Sequence, residues 1–497
     1  MDLPASAVAT HVECAGVRSP ATDLGLSATR TAAEVAGAFA TLDGRDIVDL
    51  TAELDREARA RNLGYLRDGV VEAIRVLPRP LVALHEQLSY ARYATFTVQY
   101  ALKRLPQMYL HDPDVRAMIS LTEEEERWLR ECWTPGHRDV NPLFGRIDAV
   151  MDFASPSWRE SLRFLEPNLS GIGGLHIAPT TDRIVADLVL PRLRAARLDL
   201  HLAPNVDLRE LLMQELVDHL ELIGRPGSRV CFVEPKYAGY GPDEQAHLTA
   251  YLYARYGLEV MHADPAELAI DGDDVTYQGR AIDIAYRDYS VQDLLDLAEE
   301  GVDVTPMRKL LRENRMVSSI AAELDQKSSW EILTDPVLML RHFGAEERLV
   351  FRRHVAWTRL LGDRRTTLPD GGEGDLLEYV RRGRERLVLK PNRGYGGDGV
   401  TVGPTLDEAA WAAALEHALS DPDDRWVAQE LAPLPVLSQP MATGADGGDR
   451  HDEAFFVVLG FVASKYGLGI SARISQSEVV NVAQRGGVCG VVVVQEA

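Results

Sequence analysis

One stretch of the chain alternates a strand pattern, a helix pattern and a second strand pattern, and it constrains the fold more than any other feature. The run SRVCFVEP at 228–235 is short and apolar, as a buried strand is. The run PDEQAHLTAYLYARYG at 242–257 has helical spacing and ends in glycine, and LEVMHAD at 258–264 predicts the next strand. Two strands joined through a helix indicate a parallel sheet. We therefore predict the α/β (α+β) class, with one lobe built on a parallel sheet.

Length, charge and cysteine usage limit what else the chain can be. Its 497 residues are enough for two or three packed lobes. The net charge of -23 argues against nucleic acid or an anionic membrane as a main partner. No apolar run approaches the ~20 residues of a membrane-spanning helix, and the first residues lack the apolar core of a signal peptide. With 4 scattered cysteines and no C-x-x-C pair, we expect a cytoplasmic protein with reduced, buried thiols.

A carboxylate and an amide lie two residues apart in RFLEPNLSGIGG at 163–174, directly before a glycine-rich turn. In a strand, the period of two puts Glu166 and Asn168 on one face. A second strand pattern, GRIDAVMDF at 145–153, comes just before and carries Asp148. Carboxylate and amide oxygens are ligands that Mg²⁺ prefers, so these three residues predict a metal site. For Glu166 and Asn168 taken alone, a capped turn is the alternative.

A lysine followed by glycines stands far from this motif, in LVLKPNRGYGGDGV at 387–400. Lys390 comes at the end of a strand pattern, and the glycines let backbone N–H groups close over phosphates. The order of lysine and glycines fits neither a Walker A loop nor a dinucleotide-binding fingerprint. We predict a phosphate-binding lysine, the alternative being a glycine-rich hairpin with a surface lysine. Downstream, WVAQELAP at 426–433 predicts a strand whose polar end is suited to an adenine edge.

The order of strand, glycine-rich turn, helix, strand and hinge over 387–435 resembles the nucleotide lobe of the ATP-grasp superfamily. Most members carry an E-x-N motif after the lysine strand, whereas here Glu166-Pro167-Asn168 comes first. That order resembles the circularly permuted branch, which contains eukaryotic-type glutathione synthetase and glutathionylspermidine synthetase. The likeness extends from about residue 145 to the end. It implies a circularly permuted ATP-grasp fold that uses ATP as co-substrate and Mg²⁺ as cofactor, with two ions expected.

The resemblance also implies roles for individual residues. Arg146 is expected to steady the transferring phosphate, and Lys390 to act both in catalysis and in binding ATP. Asp148 is expected to join Glu166 and Asn168 around Mg²⁺. The other ATP-binding residues implied are Lys327, Asn392, Gly396, Gly397, Gln429, Glu430 and Leu431. The substrate-binding residues implied are Ser170, Asp243, Glu244, Arg287, Tyr289, Arg473 and Arg485.

The chain departs from the glutathione synthetase pattern at two places. Gly394 stands where that enzyme has a metal-binding glutamate, and Ser475 falls near the place of its late lysine, for which Arg485 is a substitute. Arg287 ends a strand pattern and is expected to grip a substrate carboxylate through its guanidinium. The alternative for Arg287 is a structural ion pair with Asp288 or another acid.

We predict five regions along the chain. They are a mostly helical N-terminal region at 1–140, metal-binding strands of the ATP-grasp core at 141–190, a substrate-binding α/β lobe at 191–325, an ATP-binding lobe at 326–435, and a β-rich segment that closes the active site at 436–497. Within them, the runs at 49–77 and 120–133 predict helices, and the acidic run of the second predicts a solvated helix face. The polar, glycine-rich run at 438–453 predicts a loop or a disordered insert.

The function we expect is an ATP-dependent carboxylate–amine ligase that works through an acyl phosphate and releases ADP and phosphate. Its partners would be ATP, a small amino-acid or peptide carboxylate and an amine, with no nucleic acid or membrane and with a homodimer as one oligomeric state. A γ-glutamyl or dipeptide ligase of specialised metabolism is the alternative within this class. A nucleotide-binding regulatory protein without turnover is the alternative outside it.

Overall fold

A computed structural model describes residues 21–67, 69–196, 198, 200–225, 227–237, 244–443, 448–482 and 485–495. Helices dominate the described part of residues 21–140, but three strands interrupt them there. The helices are α1 Ala21–Ala40, α2 Gly44–Ala60, α3 His85–Leu102, α4 Leu105–His111, α5 Pro113–Met118, α6 Glu123–Cys132 and α7 Pro135–Asp139, and the strands are β1 Gly64–Arg67, β2 Val70–Ala73 and β3 Val76–Ala83. None of the described helices is both long and apolar enough to cross a membrane.

The helix predicted over 49–77 is wrong beyond Ala60. Asn62 takes the left-handed conformation with φ 58°, which ends α2, and β1 then pairs with β2 in an antiparallel hairpin. Gly69, at the turn of that hairpin, has φ 76°. The Asp-Gly dipeptide at 68–69 between apolar residues is a strong hairpin signal, and it outweighs the helix propensity of the surrounding sequence.

Helix α6 begins as predicted, with a reciprocal cap at its first turn. Thr122 Oγ1 accepts from Glu125 N at 3.3 Å, and Glu125 Oε2 accepts from Thr122 N at 2.7 Å. Glu123, Glu124 and Glu126 leave part of their surface in solvent, but Glu125 is only 1% exposed. The prediction of a solvated acidic face is therefore wrong at Glu125.

The two strands predicted around the E-x-N motif are neighbours in a large sheet. The elements of this part are β4 Arg146–Val150, α8 Trp158–Ser161, β5 Arg163–Asn168, α9 Ile177–Ala195 and β6 Leu202–Pro204. The C-terminal strands are β20 Val436–Thr443, β21 Asp449–Ser464, β22 Gly467–Ser475 and β23 Gly487–Val494. The order is β3-β23-β22-β21-β4-β5, with β20 beside β21 and β6 beside β23. One sheet thus joins strands from three separate parts of the sequence.

The strand-helix-strand pattern forms a parallel sheet in its own lobe. This lobe contains α10 Leu208–Leu222, β7 Val230–Val233, α11 Glu244–Tyr256, β8 Met261–Ala263, β9 Leu268–Asp271, β10 Asp274–Tyr277, β11 Arg280–Ala281, β12 Ile284–Arg287, α12 Val291–Glu299, α13 Thr305–Arg312 and β13 Met316–Val317. The parallel order is β13-β12-β7-β8, while β9, β10 and β11 form a small antiparallel sheet. Mixed α/β structure is therefore confirmed.

A third lobe carries the lysine-glycine motif. Its elements are α14 Ser329–Thr334, α15 Pro336–His342, α16 Ala345–His354, β14 Thr358–Leu360, β15 Arg365–Thr367, β16 Glu373–Asp375, α17 Leu376–Arg382, β17 Leu387–Pro391, β18 Thr401–Val402, α18 Glu408–Ser420 and β19 Trp426–Glu430. Four of the strands form an antiparallel sheet in the order β14-β19-β17-β18. Buried Leu387, Leu389, Trp411 and Ala428 fill the space between this sheet and its helices.

The loop or insert predicted at 438–453 is largely a pair of strands. β20 pairs with β21 from Val436 opposite Phe456 to Thr443 opposite Asp449, while 444–447 lie outside the described residues. Gln439, fully buried, accepts from Arg79 N and donates to Arg79 O at 2.9 Å each, which ties β20 to β3. Polar composition misled the prediction because an edge strand can carry polar side chains on its solvent side.

Candidate active site

A cleft of about 280 Å³ lies between the large sheet and the antiparallel sheet of the third lobe. Val388 and Val402 line it from the antiparallel sheet, and Phe456 and Val458 line it from the large sheet. Six charged residues also line the cleft, namely Asp148, Glu166, Lys390, Glu430, Arg473 and Glu478. Apolar walls with a few convergent charged groups are typical of small-molecule sites.

Two lysines from different segments converge on Glu166. Nζ of Lys327 lies 3.6 Å from Oε2 of Glu166, and Nζ of Lys390 lies 3.9 Å from the same oxygen. Burial lowers the pKa of Lys390, Glu166 opposes this shift, and the neighbouring Lys327 adds to it. Because two ammonium groups share one carboxylate, this part of the cleft carries positive charge that suits an anionic ligand.

Register places Asp148 next to this group and between two guanidiniums. Asp148 is opposite Glu166 on β5 and opposite Gly460 on β21. Its Oδ1 accepts from Arg146 Nε at 2.8 Å, and its Oδ2 accepts from Arg473 at 2.6 Å. Burial raises the pKa of Asp148, but the two guanidiniums outweigh burial and the net shift is downward. The carboxylate is therefore held ionised and fully paired.

Gly460 makes room for the Arg146 side chain. A Cβ at position 460 would lie 2.4 Å from Arg146 Cδ and 2.5 Å from Ser471 Oγ. The aliphatic part of the Arg146 side chain crosses this space, and its guanidinium pairs with Asp148 and donates to Gly173 O at 2.6 Å. Arg146 thus links β4 to the glycine-rich turn after β5.

Asn392 holds the two lysine-bearing segments together. It is fully buried, its Oδ1 accepts from Ser328 N at 2.8 Å, and its Nδ2 donates to Gln326 at 3.0 Å. Lys327 N also donates to Asn392 O at 3.1 Å. The role that the structure gives Asn392 is to fix Lys327 relative to Lys390, since its side chain turns toward protein groups.

The glycine-rich loop has the backbone conformation that its composition predicts. Gly396 and Gly397 have φ 70° and 77°, a region that favours glycine. Gly397 lines the cleft, and a Cβ there would lie 3.0 Å from Val479 Cγ1. Lys327 Nζ donates to Gly394 O at 2.5 Å, so the loop contacts one of the two lysines.

The residues predicted at an adenine edge line the cleft, but their polar groups are partly used. Gln429, Glu430 and Leu431 all border it. Gln429 Nε2 donates to Leu165 O at 2.8 Å and to Thr358 Oγ1 at 2.9 Å, and Leu431 N donates to Arg386 O at 2.9 Å. The Gln429 side chain therefore ties the two sheets together, and Glu430 is the exposed member of the three.

The structure contradicts the substrate-gripping role predicted for Arg287. Its side chain is fully buried, and NH1 lies 2.6 Å from Glu323 Oε1. The same guanidinium donates to the carbonyls of Ser318, Ser319 and Tyr289. Arg287 and Glu323 therefore form a buried structural ion pair. The sequence left a structural ion pair open as the alternative, with Asp288 or another acid as the partner.

Two further residues of this lobe are turned toward protein groups as well. Glu244 accepts from the backbone N–H groups of Gly174, His176 and Ile177, so it caps α9 and holds the glycine-rich turn. Tyr289 is 7% exposed and its hydroxyl lies 3.3 Å from Asp264 Oδ2. Neither side chain is free to meet a substrate, which corrects both predictions, and Asp243 lies outside the described residues.

The remaining predicted substrate residues fall in different places. Ser170 lines a small polar pocket that adjoins the cleft through Glu166. Arg473 lies in the cleft itself, against Asp148. Arg485 is 75% exposed at its side chain and lies 3.4 Å from Glu72, outside the residues that line either pocket.

The sequence missed two groups around the lysines. Asp325 lines the small polar pocket beside Glu166, and its Oδ2 accepts from Leu169 N at 2.9 Å. Arg393, next to Lys390 in sequence, pairs with the buried Glu125 of α6, with NH1 2.9 Å from Oε2. An acid two residues before Lys327 was a visible signal, whereas the Arg393–Glu125 pair spans 268 positions and had none.

The donor set suits Mg²⁺ in chemistry. Glu166 and Asn168 lie near each other on β5 and offer carboxylate and amide oxygens, and both line the small polar pocket. Among the described residues, no three His, Cys, Asp or Glu side chains converge as a metal cluster. A few protein oxygens completed by phosphate and water are the usual way of holding this ion.

Comparison of the sequence with known proteins gives partial likenesses. No protein-family model matches. “Putative glutamate--cysteine ligase 2-3” of Frankia alni is 28% identical over 200 residues, 39% of this chain and 22% of that protein. A nicotinate-nucleotide--dimethylbenzimidazole phosphoribosyltransferase of Mycobacterium ulcerans is 28% identical over 122 residues, 24% of this chain and 34% of that protein. The chain thus spans about a fifth to a third of the curated relatives it matches.

The structural likeness is more extensive. A glutathione synthetase-like effector from Globodera pallida, solved in its apo form, superposes with a TM-score of 0.58 over 90% of this chain and 97% of that one. Sequence identity is 11%, so the likeness is one of fold. The predicted resemblance is confirmed at that level: this chain has a glutathione synthetase-like fold.

Proposed function

We propose that the protein is an ATP-dependent carboxylate–amine ligase of the circularly permuted ATP-grasp type. The observation that carries the proposal is the convergence of Lys327 and Lys390 on Glu166, at the cleft between the large sheet and the antiparallel sheet of the third lobe. The apolar part of the cleft suits a purine, and the lysines suit its phosphates. The fold of the Globodera protein and the name of the Frankia protein support a ligase that forms a peptide-type bond.

In this proposal the chain’s own groups align and neutralise the reactants. A substrate carboxylate oxygen attacks the γ-phosphorus of ATP and ADP leaves; an amine then attacks the acyl carbon and phosphate leaves. Lys327 and Lys390 hold the phosphates, and Arg146, whose guanidinium is fixed by Asp148, steadies the phosphoryl group. Glu166 and Asn168 would hold Mg²⁺, which neutralises phosphate charge when bound.

We propose that the substrates of this protein differ from those of glutathione synthetase. Arg287 is committed to Glu323, so substrate recognition must use other groups, such as Ser170 at the glycine-rich turn. This favours a ligase of small amino-acid or peptide substrates other than glutathione synthetase itself. Within that class, the name of the Frankia relative favours a γ-glutamyl product.

Release of ADP tests the proposal. The protein is incubated with ATP, Mg²⁺ and pooled amino acids, and ADP is followed together with new masses by mass spectrometry. We expect amino-acid-dependent ADP release that is lost in Glu166→Ala and Asn168→Ala while the melting temperature stays unchanged. Nucleotide binding without ADP release under any pool would favour the regulatory alternative, and near-normal turnover in either variant would contradict the metal assignment.

A further inference from the structure

The carboxylates around the two lysines differ in how their charge is compensated. Glu166 has Lys327 and Lys390 nearby, and Asp148 has Arg146 and Arg473. Glu323 is paired with Arg287, and its second oxygen accepts from Val291 N at 2.8 Å. Each of these three groups therefore has at least one cation within ion-pair distance.

Asp325 is the exception. It is only 9% exposed, and one oxygen, Oδ2, accepts from Leu169 N. Among the described residues, no lysine, arginine or histidine lies within 4.0 Å of its carboxylate, and Oδ1 has no hydrogen bond. A buried carboxylate is costly unless it is paired or coordinates a metal. Asp325 therefore lacks a counter-charge that a bound cation would supply.

The position of Asp325 indicates which cation that is. Asp325, Glu166 and Asn168 line one small polar pocket, and Lys327, two residues after Asp325, lines it too. The pocket has a cavity volume of about 10 Å³, room for about one water-sized occupant. Gly394 borders the same pocket and offers no side chain. Glu166, Asn168 and Asp325 offer carboxylate and amide oxygens, a set that suits a small divalent cation next to phosphates. Glu323 also lines the pocket, but its two oxygens are used by Arg287 and Val291 N.

We propose that Asp325, together with Glu166 and Asn168, forms a divalent-cation site, with Asp325 rather than Asp148 as the second carboxylate ligand. Asp148 already accepts a guanidinium N–H at each oxygen, so its role is to fix Arg146 and Arg473. The occupant is Mg²⁺, shared with the phosphates of the nucleotide. This inference rests on the proposed function for the presence of that nucleotide.

Binding of Mn²⁺ tests the site without relying on turnover. Free Mn²⁺ is measured by electron paramagnetic resonance in the presence of a non-hydrolysable ATP analogue, for the unaltered protein, Asp325→Asn, Asp148→Asn and the control Asp363→Asn. Asp363 is exposed and far in sequence from Glu166, Asn168 and Asp325. Asp363→Asn therefore makes the same chemical change, aspartate to asparagine, away from the proposed site. We expect Asp325→Asn to weaken Mn²⁺ binding ~10-fold or more. Loss of a residue that only supports a metal ligand already lowers metal affinity ~10-fold, and loss of a ligand should lower it at least as much. Asp363→Asn should leave it unchanged.

Each outcome decides between the alternatives. Unchanged Mn²⁺ affinity in Asp325→Asn, with the analogue still bound, overturns the Asp325 site and leaves the proposed function standing. If the unaltered protein fails to bind the analogue, the proposed function fails, and Mn²⁺ is then titrated alone. Binding that depends on Asp325 would still support the site, and its absence would overturn it.

A second measurement uses the unaltered protein, in case Asp325→Asn folds poorly. Fe²⁺ replaces Mg²⁺ and, with ascorbate and peroxide, cleaves the backbone beside the ion. Fragments that end near 324–326 and 166–168 support the site. Cleavage near 146–150 and 471–475 without cleavage near 324–326 would place the ion at Asp148 and overturn it.

Discussion

The cleft and the parallel-sheet lobe contrast in what their charged residues do. In the cleft, Lys327, Lys390 and Glu166 come together with room beside them for a ligand. In the parallel-sheet lobe, Arg287 ends a strand just as a ligand-binding residue would, yet Glu323 and backbone carbonyls occupy its guanidinium. The difference shows that a position at a strand end makes a residue a candidate for ligand binding. The partners of its side chain then determine whether it binds a ligand or stabilises the fold.

Removing the Arg287 side chain should have the largest effect on the stability of the fold. Arg287→Ala leaves Glu323 buried without its cation, so the free energy of unfolding should fall by about 3–5 kcal/mol. Chemical denaturation measures it, with Arg382→Ala as control because that arginine is 80% exposed at its side chain. A stable Arg287→Ala variant with a raised substrate KM would show that Arg287 binds a substrate, as the charged residues of the cleft are proposed to do.

Removing the Lys390 side chain should act on turnover instead. A cation beside the transferring phosphate contributes most in the transition state, so Lys390→Ala should slow ADP release about 100-fold to 1000-fold. The free energy of unfolding should change little, since Lys390 pairs only loosely with Glu166 at 3.9 Å. Normal kcat and normal affinity for ATP in this variant would show that the cleft is not the nucleotide site.

The buried residue His354, which packs behind β5, should make the free energy of unfolding fall in acid. His354 is fully buried, lies 3.0 Å from Leu162 O just before β5, and packs edge-on against Phe164. Burial lowers the pKa of His354 to about 4, from 6.5 when exposed. Because the unfolded chain takes up the proton first, the stability from neutral His354 is present above pH 6.5 and is lost as the pH falls toward 4.

The measurement is the free energy of unfolding between pH 7 and 4. His354 alone should account for about 3 kcal/mol of the loss at the acid end, at ~1.4 kcal/mol per pH unit. His354→Gln should flatten the acid limb by that amount, although it costs stability at pH 7 through lost packing. An acid limb that is equally steep in the variant would contradict the buried neutral state.

The smallest effect should come from the contact between the helical region and the glycine-rich loop. Arg393→Ala frees Glu125 and loosens the start of the loop, so the apparent KM for ATP should rise about fivefold, within the range of positioning contacts. Glu125→Gln should act in the same direction. If both variants keep the KM for ATP, the contact serves stability alone.

The sequence identified the cleft better than the lobe because strand periodicity carries the relevant information. Glu166 and Asn168 share a face through the period of two, and the glycines after Lys390 predicted a turn, in which Gly396 and Gly397 have positive φ. The pairing of Asp148 with Glu166 follows once the two strands are neighbours. These are local patterns or pairings between strands close in sequence.

Contacts between distant segments could not be predicted in the same way. The partners Arg287 and Glu323 lie on different elements, and Arg473 reaches Asp148 across 325 positions. The strand β3 joins β23 from the far end of the chain, so the helical pattern around it could not reveal its place. Local propensity yields to such tertiary pairing.

We propose that ATP occupies the cleft between the large sheet and the antiparallel sheet of the third lobe, and photolabelling with an ATP analogue can locate the bound nucleotide. The protein is irradiated with 8-azido-ATP and Mg²⁺, digested and mapped by mass spectrometry, with excess ATP as competitor. We predict label, removed by ATP, on peptides from 387–402, 426–434 or 456–480, and much less of it in Lys390→Ala. Label confined to peptides outside these ranges, or unaffected by competing ATP, would show that the nucleotide does not bind in this cleft.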